Sequence, residues 1–373
     1  MLISELEKSD MLNTKYYTAF ASNESFGSIF VKKLYDYFGD IETAWHAEIS
    51  DLYKIEDLTE NKIKTFLKLR SIINPDEEFE KLEKSEISFI TYDDLDYPSL
   101  LRQIPDPPMW LYYQGNRELF SSKYNLAVVG SRKCSAGGKA VLSKILSEFK
   151  NTDLCIVSGL ALGIDAAAHK AALDNNLKTI AVLGSGLKNV YPSANKKLFQ
   201  DILENDGLVL SEYPLLSGPQ AYHFPLRNRI VSGMSPCTLV AEAAMKSGAL
   251  ITARLCLEQN RELLCIPGAI SNPATAGVYH LLKQGAGIVT CGDDILSAMN
   301  WELTQNSKPE NLENTGMGEE EQAICDLLKQ DSLTIDEIAI KTGLQAENLM
   351  VILTRLELED YIIQVEGDRY SAI

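Results

Sequence analysis

Between residues 126 and 187, three short apolar runs each break into small residues. Leu126-Ala127-Val128-Val129 ends in Gly130-Ser131-Arg132, and Cys155-Ile156-Val157 ends in Ser158-Gly159-Leu160-Ala161-Leu162-Gly163. Thr179-Ile180-Ala181-Val182-Leu183 ends in Gly184-Ser185-Gly186. Runs this short, rich in Val and Ile and lacking polar alternation, read as strands buried on both faces, the habit of parallel sheets. Helix-length segments follow the first two, giving the βαβ rhythm of a doubly wound α/β sheet. Such sheets bind ligands outside the carboxyl ends of their strands, the edge that here carries every Gly/Ser loop.

The flanks read differently. Residues 1–85 form a helical domain: 25–38 places Phe26, Ile29, Phe30, Leu34 and Phe38 at helical spacing before Gly39. A second helix covers 59–69, and Asn74-Pro75 opens a third with acids in its first turn. The sheet domain is placed at 86–302. It opens with a strand at 87–90 and a proline-rich connector running through Pro107-Pro108 to Gly115. Further strands are expected at 208–210, 238–240, 263–266 and 287–289, with a helix starting at Glu242-Ala243-Ala244. A polar linker spans 303–318. Residues 319–373 read as helix, helix, turn, helix and hairpin, a winged-helix pattern, with Thr334 and Glu337 placed for a capping box.

Charge bears on what the chain can bind. The formal net charge is −17, which at first sight argues against nucleic acid. Residues 1–85 hold 11 Lys/Arg against 17 Asp/Glu, and 319–373 hold 4 against 13. By contrast, 130–229 holds 12 basic and 8 acidic residues, so the loop-bearing half of the sheet is locally basic. The helices at 335–359 carry mostly acids, so the winged unit reads more readily as a protein-contact module or structural cap than as a phosphate binder. Seven cysteines without a Cys-x-x-Cys pair fit a reduced, cytoplasmic protein without a zinc site. No apolar run approaches the roughly 20 residues of a membrane span, and no secretory signal is evident.

The two common cofactor loops fail residue by residue. A Walker A loop ending at Gly138-Lys139 requires Gly at 133 and Ser or Thr at 140, where Lys133 and Ala140 stand. A dinucleotide fingerprint starting at Gly184-x-Gly186 requires a glycine where Asn189 stands. No cofactor and no metal is therefore expected. Gly130-Ser131-Arg132 remains as a generic anion site at a strand-to-helix junction, or simply a tight turn with a surface arginine. Asp165 reads as a helix cap; His169, four residues on, pairs with it either as a base with its orienter or, in the absence of a nearby nucleophile or metal set, as a hydrogen bond fixing the loop, the favoured reading. Phe224-Pro225-Leu226-Arg227-Asn228-Arg229 reads as a loop in which basic residues follow rings, a mixture suited to single strands. The stretch from Tyr191-Pro192 to Lys196-Lys197-Leu198-Phe199 repeats that mixture, or else packs Leu198 and Phe199 in the core.

Together these ordered motifs, with Ser247-Gly248-Ala249-Leu250-Ile251-Thr252-Ala253, span roughly 90–292 and resemble the DNA-processing protein A family (DprA, also called Smf). The resemblance implies an extended Rossmann-like domain between an N-terminal helical SAM-like domain and a C-terminal winged helix. It implies a non-enzymatic protein that binds single-stranded DNA in a basic pocket, forms a homodimer, and loads the RecA recombinase during natural transformation. Carried onto this chain, the DNA site comprises Gly130, Ser131, Arg132, Ser158, Gly159, Gly163, Gly184 and Gly186. Lys196, Lys197, Phe199, Arg227, Asn228 and Arg229 complete it. Leu281 and Leu282 are the implied dimer contacts. The rival is a phosphoribohydrolase-type enzyme. Its Pro-Gly-Gly-x-Gly-Thr-x-x-Glu loop compares poorly with Pro236-Cys237-Thr238-x-x-x-Glu242, which lacks the glycines.

Overall fold

A computed structural model describes residues 13–305, 319–329, 331–344, 346–358, 361–365 and 369–372. One compact unit runs to Asn306 and a second begins at Ser307. The first is built on a nine-stranded sheet: β1 (Ser88–Thr91), β2 (Trp110–Gly115), β3 (Tyr124–Val129), β4 (Leu154–Ser158), β5 (Lys178–Val182), β6 (Leu208–Ser211), β7 (Cys237–Val240), β8 (Glu262–Cys265) and β9 (Gly287–Ile288). Their order is β1-β2-β6-β5-β4-β3-β7-β8-β9. Strands β3 to β9 pair in parallel, whereas β2 runs antiparallel to both β6 and β1. The connector expected up to Gly115 is thus partly a strand: five residues from Trp110 to Gln114 alternate across the sheet and are mostly buried.

The chain winds outward from β3 to β6, then returns to lay β7 against the other side of β3. The topological switch point therefore lies between β3 and β7, where two carboxyl-end loops diverge. Both faces of the sheet are covered. Leu126 and Val128 of β3 join one apolar cluster, with α1 (Ala136–Ser147) and α2 (Ile164–Asp174). Ala127 and Val129 join the other, with α4 (His223–Gly233) and α5 (Ala249–Glu258). The period of two in strands sends alternate residues to opposite faces. Helices α3 (Lys196–Glu204) and α6 (Ala276–Lys283) complete the layers.

Two details correct the sequence reading. Residues 223–233 form a helix, not a loop, with Arg227-Asn228-Arg229 in its middle. Residues 241–248 form a loop, and the helix after β7 starts at Ala249.

The N-terminal helices form as their caps dictate. Thr59 accepts a bond from Lys62 N, Asn74 accepts from Asp76 N with Pro75 at the first position, and Gly39 ends Ser28–Phe38 at φ 85°. Phe20, Trp45 and Phe66 pack with centroids 4.9 Å and 5.8 Å from Phe20. That cluster continues into Trp110, Tyr112 and Val209 of the sheet, so helices and sheet share one core.

In the second unit, Glu319–Leu328, Ile335–Thr342 and Ala346–Leu358 are helices, and Ile362–Val365 pairs with Arg369–Ala372 as the wing. The Thr334–Glu337 capping box is present. The expected linker lies, from residue 306 onward, outside the described residues. Among the described residues, no helix is long and apolar enough to cross a membrane, and no group of three His, Cys, Asp or Glu gathers as for a metal. All seven cysteines are free.

Candidate nucleic-acid interface

A cleft of about 980 Å³ opens at the switch point. Its floor is the loop after β3 (Gly130, Ser131, Arg132) and its far wall the loop after β7 (Lys246, Ser247, Gly248). Ala161 and Asp165 after β4, Tyr191 after β5, and Phe224 and Asn228 of α4 close it.

The floor is held by backbone. Ser131 N donates to Glu242 O at 2.7 Å, and Ser131 O accepts from Ile164 N at 3.2 Å. Gly163 has φ 85°, and a Cβ there would meet Ser131 O at 2.2 Å. A Cβ on Gly130 would meet Ile164 at 2.5 Å. The glycines thus let the loops of β3 and β4 touch each other, where the sequence suggested close approach to a ligand. Gly184 and Gly186 behave likewise: a Cβ would meet the Phe224 ring at 2.9 Å and Pro214 O at 2.1 Å respectively. Ser158 is buried and donates to Val128 O at 2.7 Å.

The cations divide into two groups. Arg132, Lys133 and Lys246 are exposed in the cleft, and among the described residues none makes a salt bridge. The Arg132 guanidinium carbon lies 4.9 Å from the Phe224 ring centroid, and the Tyr191 ring lies 5.6 Å from Phe224 on the tilt. Cation, half-buried ring and exposed ring form one ledge at the mouth.

The other two arginines are internal. Arg227 is 3% exposed; its Nη1 donates to Gly159 O at 2.6 Å and to Val182 O, tying β4 to β5. Burial pushes its guanidinium down to about 10, against the opposing pull of Asp165. Gly159 has no side chain because that guanidinium occupies the space, 2.4 Å from where a Cβ would stand. Arg229 forks onto Glu212 at 2.8 and 2.6 Å and reaches Asp106 at 3.2 Å. Burial opposes its charge, but Glu212 more than restores it, and its pKa is raised. On a helix, residues two apart point to nearly opposite sides, which is why Arg227 edges the cleft and Arg229 does not. Arg229 bonds Glu212, Asp106 and Leu226, and Arg227 bonds Asn228, Gly159 and Val182 through Nε and Nη1, so both arginines brace the fold, and of the two only Arg227 lines the cleft.

Three further expectations change. Phe199 is 4% exposed and packs in the core with Leu198, so it offers no face to a base. Lys196 and Lys197 are exposed at the start of α3 but do not line the cleft. Leu281 is buried in the sheet core, while Leu282 is half-buried at its margin. The residues the sequence list omitted are Lys133, Tyr191, Phe224, Lys246 and Ser247. Their signal was present: rings beside basic residues, and a Ser-Gly pair ahead of the helix after the switch-point strand.

Titratable groups beneath the cleft are structural. Asp165 accepts from Ala161 N at 3.4 Å, and burial holds its carboxyl above the ordinary value. His169 faces Thr179 instead of Asp165. Thr179 Oγ1 donates to Ile156 O at 2.8 Å, so His169 Nδ1–H donates to Thr179 Oγ1 at 2.7 Å. Burial and the Arg227 charge push the imidazole down to about 3. Glu242 is 2% exposed and accepts from Ser135 N at 2.9 Å and Ser135 Oγ at 2.5 Å, holding Ser135, the residue that caps α1.

Fold and cleft define a doubly wound α/β protein with a basic and aromatic cleft at its switch point, carrying helical and winged-helix additions. The chain belongs to the DNA recombination-mediator protein A family, whose profile matches residues 88–300, and the DprA winged helix domain matches residues 308–368. It is 49% identical over 210 residues to the DNA processing protein DprA of Streptococcus pneumoniae, covering 56% of this chain and 73% of that one. It is 39% identical over 293 residues to protein Smf of Escherichia coli, covering 77% and 78%. The X-ray structure of the Streptococcus pneumoniae DprA superposes with a TM-score of 0.67 at 38% identity, over 76% of this chain and 97% of that one. A Helicobacter pylori DprA structure, described as showing a single-stranded DNA binding mode, superposes with a TM-score of 0.52 at 28% identity, over 58% and 96%.

Proposed function

We propose that this chain binds single-stranded DNA in the switch-point cleft and hands it to the RecA recombinase during natural transformation. The observation that carries the reading is the ledge of Arg132, Phe224 and Tyr191 beside the exposed Lys133 and Lys246. Single strands are held by stacking bases on rings and pairing phosphates with cations, and this ledge supplies both. The likeness to a Helicobacter pylori protein described as binding single-stranded DNA supports the same reading.

The protein acts in this role as a binder in the cytoplasm, without catalysis of its own. A hydrolytic reading requires a free carboxylate after β7, and Glu242 is committed to Ser135. In this reading the chain works as a homodimer through the margin of α6; Leu281 is buried in the core, and the half-buried Leu282 is the candidate contact. In the winged unit, Arg355 pairs with Glu321 at 3.0 Å and Arg369 with Glu337 at 2.9 Å, which favours protein contacts over phosphate contacts.

A fluorescence titration of Arg132→Ala against labelled oligothymidine tests the cleft. Binding weakened about tenfold, with a salt slope shallower by about one, is expected. Unchanged affinity and slope would remove the cleft from the reading.

A further inference from the structure

Helix α4 has a second face. His223, Leu226 and Arg229, at helical spacing, line a separate cavity of about 420 Å³ between this helix and the N-terminal helix Ser28–Phe38. Its walls are aromatic: Phe26, Phe30, Trp110, Tyr213 and Tyr222. The volume lies in the range of small-ligand sites, and the mixture of rings with a few converging polar groups is typical of them.

Two polar side chains set its chemistry. His223 is fully buried, its ring stacked on Tyr213 with centroids 3.8 Å apart, and among the described residues neither ring nitrogen has a hydrogen-bond partner. Buried side-chain polar atoms without a partner are uncommon, and such a group is open to one. The nearest charge is Glu24, whose Oε2 is 3.5 Å from His223 Nε2. Glu24 takes one bond from Ser217 Oγ on its other oxygen. Lys33 and Lys62 belong to the same lining; Lys33 lies 3.6 Å from Asp57, and among the described residues Lys62 Nζ bonds only Ser25 O, at 3.5 Å.

We propose that this cavity binds a nucleobase whose edge presents adjacent N–H donors, as guanine does. The flat ring fits the aromatic walls, and Glu24 accepts the N–H groups. The His223 imidazole can present one ring nitrogen to the base, and Lys33 and Lys62 suit an attached phosphate. Thymine is disfavoured because its single N–H sits between two carbonyls that would face the Glu24 carboxylate. The base can come from a free nucleotide or from a DNA strand, and the site chemistry is the same for both.

Trp110 lines the cavity, so the full chain can be titrated by tryptophan fluorescence, with calorimetry as a readout independent of that residue. Saturable quenching by dGMP is expected, with dTMP binding about tenfold more weakly. Glu24→Gln, at a partly exposed position, should abolish the preference while leaving the far-ultraviolet circular dichroism unchanged. Lys62→Ala should weaken dGMP but not guanosine. If an oligothymidine carrying one guanine binds in this way and dGMP does not, the base comes from a strand. Neither ligand saturating, or equal binding of dGMP and dTMP, overturns the proposal. Because the cavity excludes Arg132, dGMP binding that survives Arg132→Ala separates this site from the cleft.

Discussion

Arg132 lies over the face of Phe224, its guanidinium carbon 4.9 Å from the ring centroid, although one comes from the loop after β3 and the other from the first turn of α4. The arginine is therefore positioned by a ring as well as by its own backbone. Lysine at this position keeps the charge but loses the planar stack. Arg132→Lys is expected to bind oligothymidine with an affinity between wild type and Arg132→Ala, with the wild-type salt slope. A salt titration of fluorescence anisotropy checks both.

Phe224 contributes without charge. Phe224→Ala is expected to weaken oligothymidine binding about five- to hundredfold, the value of one base stacked on a ring, without altering the salt slope. Phe224→Trp should retain binding. Affinities at several salt concentrations distinguish this loss of stacking from a loss of ion pairing.

Arg227 belongs to stability. Replacing it by methionine leaves the carbonyls of Gly159 and Val182 without their donor. A cost of about 2–3 kcal/mol in a urea unfolding titration is expected, whereas exposed Arg132→Ala should stay within about 0.5 kcal/mol of wild type. An Arg227→Met protein as stable as wild type would return this residue to the list of candidate ligand contacts.

His169 gives the fold an acid-sensitive component. Its folded pKa is about 3, below the unfolded value near 6.5, so the unfolded chain takes up the proton first. This contribution is complete above pH 6.5 and is lost as pH falls towards 3, with a slope approaching about 1.4 kcal/mol per pH unit. In His169→Gln the acid limb between pH 6.5 and 4 should be flatter, whatever its stability at neutral pH. Urea midpoints measured across that range supply the slopes.

The three apolar runs from Leu126 to Leu183 were legible as parallel strands because burial on both faces leaves no polar alternation. Their edge was legible as the site for the same topological reason. The side-chain roles were harder. Arg227 and Arg229 read as a pair in the sequence, but helical geometry sends them to opposite sides, and the segment lacked a strong helical period because its buried face is lined by arginines and histidine. Phe199 read equally as core or as stacking surface, and its burial in the apolar cluster that α3 shares with the sheet decides for the core. Trp110–Gly115 was hidden behind Pro107-Pro108, since an antiparallel strand can start directly after prolines.

The contact of Gly163 with Ser131 O joins the loops of β3 and β4, and Ser131 N joins both to the loop after β7. Three loops that could each bend alone are thereby one template. A ligand entering the cleft meets a shape already set, so the ordering on binding falls on the ligand, with only the ledge side chains left to adjust. A limp, unpaired chain can comply with such a template at any sequence, whereas a stiff duplex would have to be deformed to follow it.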